Sequence, residues 1–436
     1  MRPELPQASP ELLDKKVSSG QKVKRLRTYW PVLALLILVL PLFSWLNHRL
    51  ITTFDYPNSD YTFFYAAGKN LLHGNNPYIS SNTESILVEV GMARRDLLTG
   101  GYAYPLYTGY IFIPQAIFSL DWALTIWTVF NEMCLVVTIW LLLQVALKGL
   151  EGLERKQVEH YLVLATMVLY VPGRHFLKTL LDGQISIANL LLTTLFIYGL
   201  TFKRYGLAGI GLLAAVFKPT PYVLFLPVAL LVLLPRERRR GLYFFVAGAV
   251  LLVASAFVIN PAWPWQWLGS RTELGWKIML RNCTIWGLTG HWGESTGQVA
   301  LFIGIAAVLA LSLVGAMWLA WLKIPAMRSN PLLFWGLLAT LSYYAFIYAF
   351  SYEAVVLLIP LLGLLVEIRR CRPVLRWSIL AGLALLMLIL PWATNGAKPP
   401  DDEQVIAAYT LGILVFTWLV LLLISNQAHR TKNLQV

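Results

Sequence analysis

Residues 31–50 read PVLALLILVLPLFSWLNHRL, with no Asp, Glu, Lys or Arg before Arg49. As a helix, twenty residues rise about 30 Å, the thickness of a bilayer's hydrocarbon core. A basic segment containing Lys15, Lys16, Lys22, Lys24, Arg25 and Arg27 precedes the run. The run is too long for a signal-peptide core, and no small-x-small cleavage site follows it. It therefore reads as a first transmembrane helix with its N-terminus in the cytoplasm. Further apolar runs of about that length follow, so the chain reads as an all-α polytopic membrane protein.

Composition agrees. Of 436 residues, 58% are hydrophobic and 13% charged, and the mean hydropathy is +0.63. Soluble domains carry about 25% charge. The net charge of +13 sits mainly in short clusters between apolar runs. That is the positive-inside pattern, with the basic patches facing anionic lipid rather than nucleic acid. Placing the loops at Lys148 to Lys156, Lys203-Arg204, Arg236 to Arg240, Lys323 to Arg328, Arg369 to Arg376 and Arg430-Lys432 inside fixes the path. Spans are expected near 31–50, 122–147, 159–175, 185–201, 241–260, 297–322, 331–350, 353–368, 374–391 and 406–425. Two short helices between 206 and 234 bring the total to about twelve. Outer loops fall at about 51–121, 261–296 and 392–404. The expected divisions are a basic cytoplasmic segment 1–30, one transmembrane domain 31–425 and a cytoplasmic tail 426–436.

Two stretches admit a choice. Between Arg204 and Arg236 the chain must leave and return if both basic loops are inside. The break would be Lys218-Pro219-Thr220-Pro221, since two prolines end helices. The other reading is one long kinked helix with Lys218 snorkelling, which puts later basic loops outside. The second stretch, Tyr102 to Leu120, is apolar and could be a second full span. That would put Lys148 to Lys156 outside, so the stretch reads as an interfacial helix before the second span.

Asp60 lies about ten residues beyond the first run, in Asn58-Ser59-Asp60-Tyr61-Thr62-Phe63-Phe64-Tyr65-Ala66-Ala67. A carboxylate there could cap a helix from about Tyr61 to Leu72, ended by Gly74. It could equally take a proton from a sugar hydroxyl. Asp55 is a second candidate, nearer the helix end.

The series Asp60-Tyr61, Tyr65-Ala66-Ala67, Leu71-Leu72, Gly74 and Pro77-Tyr78 resembles the first outer loop of glycosyltransferase family 87, integral-membrane enzymes of the GT-C type. Tyr104-Pro105 with Pro114 resembles the family's Tyr-Pro-Pro segment, with Leu106 in place of the second proline. Leu181-x-Gly183-Gln184 with Asn189 resembles its Gly-Gln-x-Asn segment, with Ser186 where Asn is usual. Lys218-Pro219-x-Pro221 matches a lysine-proline break, and Tyr352-Glu353 resembles a Tyr-Asp pair. The resemblance spans about 31 to 370 and does not specify the sugar.

The resemblance implies a GT-C-type bundle and an inverting transfer. The donor would be a polyprenyl-phosphate sugar, as in polyprenol-phosphate-mannose-dependent mannosyltransferases. The acceptor would be a glycan or glycolipid on the outer face of the plasma membrane. Asp60, not Asp55, would be the general base. An inverting displacement needs one carboxylate and cations for the departing phosphate. Lys218 is the foremost phosphate ligand, because a lysine between half-helices is costly unless it meets an anion. Arg174, His175 and Lys178 form a second cluster; on continuing helix Arg174 and Lys178 share a face. Substrate-binding candidates are Tyr65, Tyr78, Tyr104, Gln184, Asn282, His291, Tyr352 and Glu353.

Each candidate has a plainer reading. Trp263, Trp265, Trp267, Trp276, Trp286 and Trp292 in the second outer loop suit either sugar stacking or an interfacial aromatic belt. Glu353 suits a first helical turn by its charge alone. Asn282-Cys283-Thr284 is a glycosylation sequon. No Asp-x-Asp and no metal-spaced histidines occur, so no cofactor or metal is expected. Cys134, Cys283 and Cys371 fall in a helix, an outer loop and a cytoplasmic loop, so no disulfide is expected. A lipid-linked sugar carrier, or an inactive partner subunit, are the rival readings.

Overall fold

The computed structural model describes residues 41–92, 102–270, 282–346, 349–393 and 401–433. The basic N-terminal segment, the first half of the first expected span, Trp276 and most of the third expected loop lie outside them. The chain forms two compact units, Met1–Phe54 and Asp55–Val436. In the first, residues 41–51 are helical. The described residues of the second unit contain helices and no strand.

Among the described residues, six helical stretches are long and apolar enough to cross a bilayer: Leu120–Ala146, Arg236–Ile259, Val299–Lys323, Ser351–Ile368, Pro373–Ala393 and Val405–Ser425. Counting the bent pair Arg174–Leu181 and Ser186–Thr201 as one span makes seven. The sequence suggested about twelve. One of those twelve, 31–50, lies half outside the described residues, and other expected spans are short, charged or broken. The Gly152–Leu169 helix opens with Glu154, Arg155, Lys156 and Glu159. The Pro331–Ala345 helix is only 15 residues long. The 205–233 segment is broken into short helices.

Burial sorts the spans. The Ser351–Ile368 stretch is 89% buried within the protein, whereas Arg236–Ile259 is 6% buried and presents its apolar side chains outward. In a membrane protein the outward surface meets lipid, so an apolar exterior is expected. The central stretch packs closely on Pro331–Ala345. A methyl group at Gly336 would lie 2.6 Å from Pro360 Cδ, and one at Gly363 would lie 2.7 Å from the Leu333 nitrogen. Asn330 secures this pair. Its Oδ1 accepts from the Leu332 nitrogen at 3.1 Å, capping a helix that begins with proline. Its Nδ2 donates to the Gly363 carbonyl at 3.0 Å and to Glu367 Oε1 at 2.9 Å.

The 205–233 segment is a hairpin. Its first helix, Tyr205–Gly211, and its last, Phe225–Leu233, meet the following helix at one point. A methyl group at Gly241 would lie 2.7 Å from the Tyr205 carbonyl oxygen and 2.9 Å from Leu233 Cδ2. The chain thus returns to the end it left, and the two basic turns at Lys203-Arg204 and Arg236–Arg238 share that end. The tip is Lys218-Pro219-Thr220-Pro221. Lys218 is extended (φ −143°, ψ 84°), the conformation a following proline favours.

Tyr102 to Leu120 is neither a span nor an α-helix on the surface. It forms 3₁₀ turns at Leu106–Phe112 and Gln115–Ile117, and Leu106, Thr108 and Phe112 are fully buried. Pro105 and Pro114 bracket the first turn and prevent one continuous helix. This segment caps the hairpin tip. Pro221 has no N–H to offer the Phe217 carbonyl. Thr108 Oγ1 donates to that oxygen at 3.2 Å, and Tyr107 Oη donates to the Val216 carbonyl at 3.0 Å. Burial pushes the Tyr107 phenol upward, so it is protonated and can donate.

Candidate functional site

Asp60 stands at the N-cap position of the Tyr61–Leu72 helix, but its side chain makes no capping bond. Instead Asp60 Oδ2 accepts a 2.5 Å hydrogen bond from Gln184 Nε2. The backbone holds the two together. The Tyr61 nitrogen donates to the Asp182 carbonyl at 2.9 Å, docking the start of this helix on the bend between Arg174–Leu181 and Ser186–Thr201. That bend is 117°. Gly183 makes it with φ +62°, and a methyl group there would lie 2.6 Å from Tyr61 Cβ. Only glycine suits both constraints. Trp127 Nε1 donates to the Gly183 carbonyl at 2.7 Å, and Asn131 Nδ2 to the Gln184 carbonyl at 3.3 Å. Burial, and secondarily Tyr65, push the Tyr61 phenol up, and Tyr61 Oη donates to Gln115 Oε1 at 2.6 Å.

Asp55 differs. It is exposed, and its Oδ2 accepts from Asn58 Nδ2 at 2.6 Å, three residues away. Of the two acids, Asp60 is the one directed into the protein's polar interior.

Gln184 is 1% exposed. Its other end, Oε1, lies 3.5 Å from Tyr104 Oη. Tyr104 is fixed in turn by Tyr78, whose Oη donates to the Tyr104 carbonyl at 2.7 Å. The Tyr104 ring faces Lys218, with Nζ 5.5 Å from its centroid. Lys218 Nζ also stands 4.2 Å from the Tyr352 ring centroid. These are cation–π distances.

Lys218 is paired. Its ammonium forms a salt bridge with Glu353 Oε1, and both side chains are about nine-tenths buried or more. Ser186 bridges the two: Lys218 Nζ donates to Ser186 Oγ at 3.3 Å, and Ser186 Oγ donates to Glu353 Oε1 at 3.2 Å. Ser186, the departure from the family's usual Asn, thus has a part in the ion pair. Behind Glu353 a cavity of about 20 Å³, lined by Ser186, Tyr222 and Tyr343, has room for a single water.

The structure therefore joins Asp60, Gln184, Tyr104, Lys218, Ser186, Tyr352 and Glu353 by contact. Arg174, His175 and Lys178 lie on one short helix, Arg174–Leu181, which packs against the Ser351–Leu357 turn; Thr179 Oγ1 reaches the Tyr352 carbonyl at 3.4 Å. Arg174 and His175 are buried, and Lys178 is half-buried. Tyr65 and Tyr78 serve the scaffold: Tyr65 Oη donates to the Phe118 carbonyl at 3.0 Å.

Asn282 and His291 come from a different segment, whose Cys283 nitrogen donates to the Ala349 carbonyl at 3.1 Å. They sit at and within the Ile285–Thr296 helix, which packs on Val299–Lys323 and Asp401–Asn433. Asn282 is fully buried, and its Oδ1 accepts from Thr284 Oγ1 at 2.5 Å in a local turn. A folded chain cannot offer that sequon to a glycosylating enzyme. The tryptophans divide: Trp263 is buried, Trp267 Nε1 donates to the Ala103 carbonyl at 3.2 Å, and Trp286 Nε1 to the Ala345 carbonyl at 2.8 Å. Trp265 and Trp292 are exposed. The three cysteines are unbridged, and no group of metal-ligating side chains occurs among the described residues.

The family model of glycosyltransferase family 87 matches residues 102–347, more than half of the chain. The chain belongs to glycosyltransferase family 87. It is therefore a glycosyltransferase, and its apolar helices make it a membrane protein. The matched region holds Gly183-Gln184, Lys218-Pro219 and Tyr104-Pro105; Asp60 and Glu353 flank it on either side and meet it in space. No curated protein and no solved structure matches the chain.

Proposed function

We propose that this glycosyltransferase transfers a sugar, with inversion, from a polyprenyl-phosphate donor to a hydroxyl of a glycan or glycolipid, with Asp60 as general base. The observation that carries the reading is the contact path from Asp60 through Gln184 and Tyr104 to Lys218. One end of the path is a proton acceptor, and the other is a buried cation suited to an anionic leaving group. In the reaction the acceptor oxygen bonds to the anomeric carbon as the carbon–phosphate oxygen bond breaks. The acceptor proton passes to Asp60, and the bonding pair leaves with the polyprenyl phosphate. Lys218 receives that phosphate, with Arg174, His175 and Lys178 on the adjoining helix adding positive or hydrogen-bonding groups. Glu353 and Tyr352 hold Lys218 until the donor arrives. The donor enters from the membrane and the acceptor from the outer face of the plasma membrane. The bundle is of the GT-C type, with both termini cytoplasmic.

The test uses purified full-length protein in detergent with a panel of polyprenyl-phosphate sugars, product being identified by mass spectrometry. Asp60→Asn and Asp60→Ala are expected to elute as folded protein and to lose transfer. An active Asp60→Ala enzyme, with loss in Asp55→Ala instead, overturns the assignment. Absence of any transfer in detergent, with lipid-linked sugar moved across vesicles instead, makes the chain a carrier.

A further inference from the structure

Gln184 uses both ends of its amide on protein groups, and one of them is the carboxylate of Asp60. Its Nε2 lies 2.5 Å from Asp60 Oδ2 and its Oε1 3.5 Å from Tyr104 Oη. An ionised carboxylate only accepts, so Asp60 itself selects the flip that turns Nε2 toward it, and Oε1 is left to accept from Tyr104 Oη. The Gln184 main chain is held from both sides: its nitrogen donates to the Thr179 carbonyl at 3.2 Å, and its carbonyl accepts from Asn131. The side chain is 1% exposed.

Resting on the reading of Asp60 as the base, we propose that Gln184 is a positioning residue for that carboxylate and not a sugar ligand. The chemistry explains why an amide stands there. A general base must be ionised but still willing to take a proton. A cation against it stabilises the ionised form strongly and blunts its basicity. A neutral N–H donor orients one oxygen at less cost and leaves Oδ1 for the acceptor hydroxyl. The nearby cation is kept from Asp60 by its pairing with Glu353 and Ser186. Tyr104, which meets both Lys218 and Gln184, carries a change at the cation site to the base.

The test is the pH profile of kcat/KM for Gln184→Glu, a substitution of nearly the same shape. Two carboxylates in hydrogen-bond contact cannot both be ionised at neutral pH. The acidic limb of the profile should move up by about one pH unit or more, with a loss of about tenfold or more near pH 6 that shrinks as pH rises. The other ionisable groups on the elements around Asp60 stay constant between the two enzymes. They are Asp182 at the bend, Arg174, His175 and Lys178 before it, Asp55 on the preceding turn, Lys69 with Glu89, Glu84, and Asp121 and Glu132 on the Leu120–Ala146 helix. Lys218 with Glu353, and the tyrosines 61, 65, 104, 107 and 110, complete the set.

An unchanged profile, or one lowered evenly at every pH, overturns the proposal. Should Gln184→Glu not fold, Tyr104→Phe decides. Removing the hydroxyl that holds the amide oxygen in place should lower kcat about three- to tenfold with donor KM unchanged. An unaltered kcat then overturns the proposal. Loss of transfer in Asp60→Ala alongside either of these overturning results removes the Gln184 inference alone. Activity in Asp60→Ala removes the base itself.

Discussion

Two helix breaks meet at this site, and they are made differently. At 182–185 the break is a glycine with positive φ, and the group it presents is a neutral amide. At 218–221 two prolines make the break, and the group presented is a lysine. The glycine break is filled by a neighbouring helix end: Tyr61 closes over Gly183, and Asp60 comes with it. The proline break is filled by side chains that serve the orphaned carbonyls, while Glu353 answers the charge. A glycine break gives close approach and accurate placement. A proline break frees backbone and leaves space for a long polar side chain. The base sits at the first and the cation at the second, which matches what each must do.

The largest effect should follow from stripping the proline break of its charge. Lys218→Met leaves Glu353 buried without its counterion. Removing one partner of a buried pair costs about 3–5 kcal/mol. Thermal unfolding in detergent should show that loss, and transfer should vanish. Adding Glu353→Leu to Lys218→Met should recover most of the stability, since an apolar pair of similar volume replaces a desolvated one. Transfer should stay lost. Recovery of both would mean that Lys218 is structural and the phosphate is held elsewhere. At the glycine break, Gly183→Ala meets both an unfavourable φ and the Tyr61 side chain, a cost of about 1–3 kcal/mol. Here activity should fall further than stability alone predicts, because Asp60 moves with Tyr61. A kcat that tracks only the folded fraction would separate the bend from the base.

The proline break was visible in the sequence, whereas the glycine break was read only as the stretch between two expected spans, and the partners of neither were visible. Lys218-Pro219-Thr220-Pro221 marks a break because proline's lack of an N–H is a local property. The positive-inside pattern also put Lys203-Arg204 and Arg236–Arg238 at one end, and the hairpin through Gly241 has that arrangement. Pairings across the chain are another matter. Gln184 and Asp60 are 124 positions apart, and no periodicity links them. Glu353 looked like an acid suited to a helix start; its service to Lys218 depends on how two distant turns pack. Hydropathy registers apolar length and is blind to 3₁₀ turns. The 102–120 run is apolar since it is buried in protein, not since it lies in lipid. The burial of Asn282 is likewise invisible to the three-residue sequon pattern.

The carbonyl caps of the proline break offer a smaller perturbation. Thr108→Val keeps the shape and removes the donor to the Phe217 oxygen. That oxygen has no helical N–H to turn to, so a loss of about 1–2 kcal/mol is expected. Tyr107→Phe does the same to the Val216 oxygen and should cost about as much. If the tip only needs packing, both variants should unfold at the wild-type temperature.

The smallest effect is expected at Asp55, and it bears most directly on the choice of base. Asp55 and Asp60 are five residues apart, and both precede the same helix. Asp55 is exposed, and its Oδ2 accepts from Asn58, on the same turn. Surface changes of this kind usually stay within about 0.5 kcal/mol. Asp55→Ala should therefore leave the unfolding temperature and kcat near the wild-type values. Asp60 reaches Gln184, and through it the helix break and the tyrosine that faces Lys218. Proximity to the first apolar run is shared by the two acids, so a contrast between their variants isolates that connection. Equal losses in both would mean that charge at the helix start, and not placement against Gln184, is what the reaction uses.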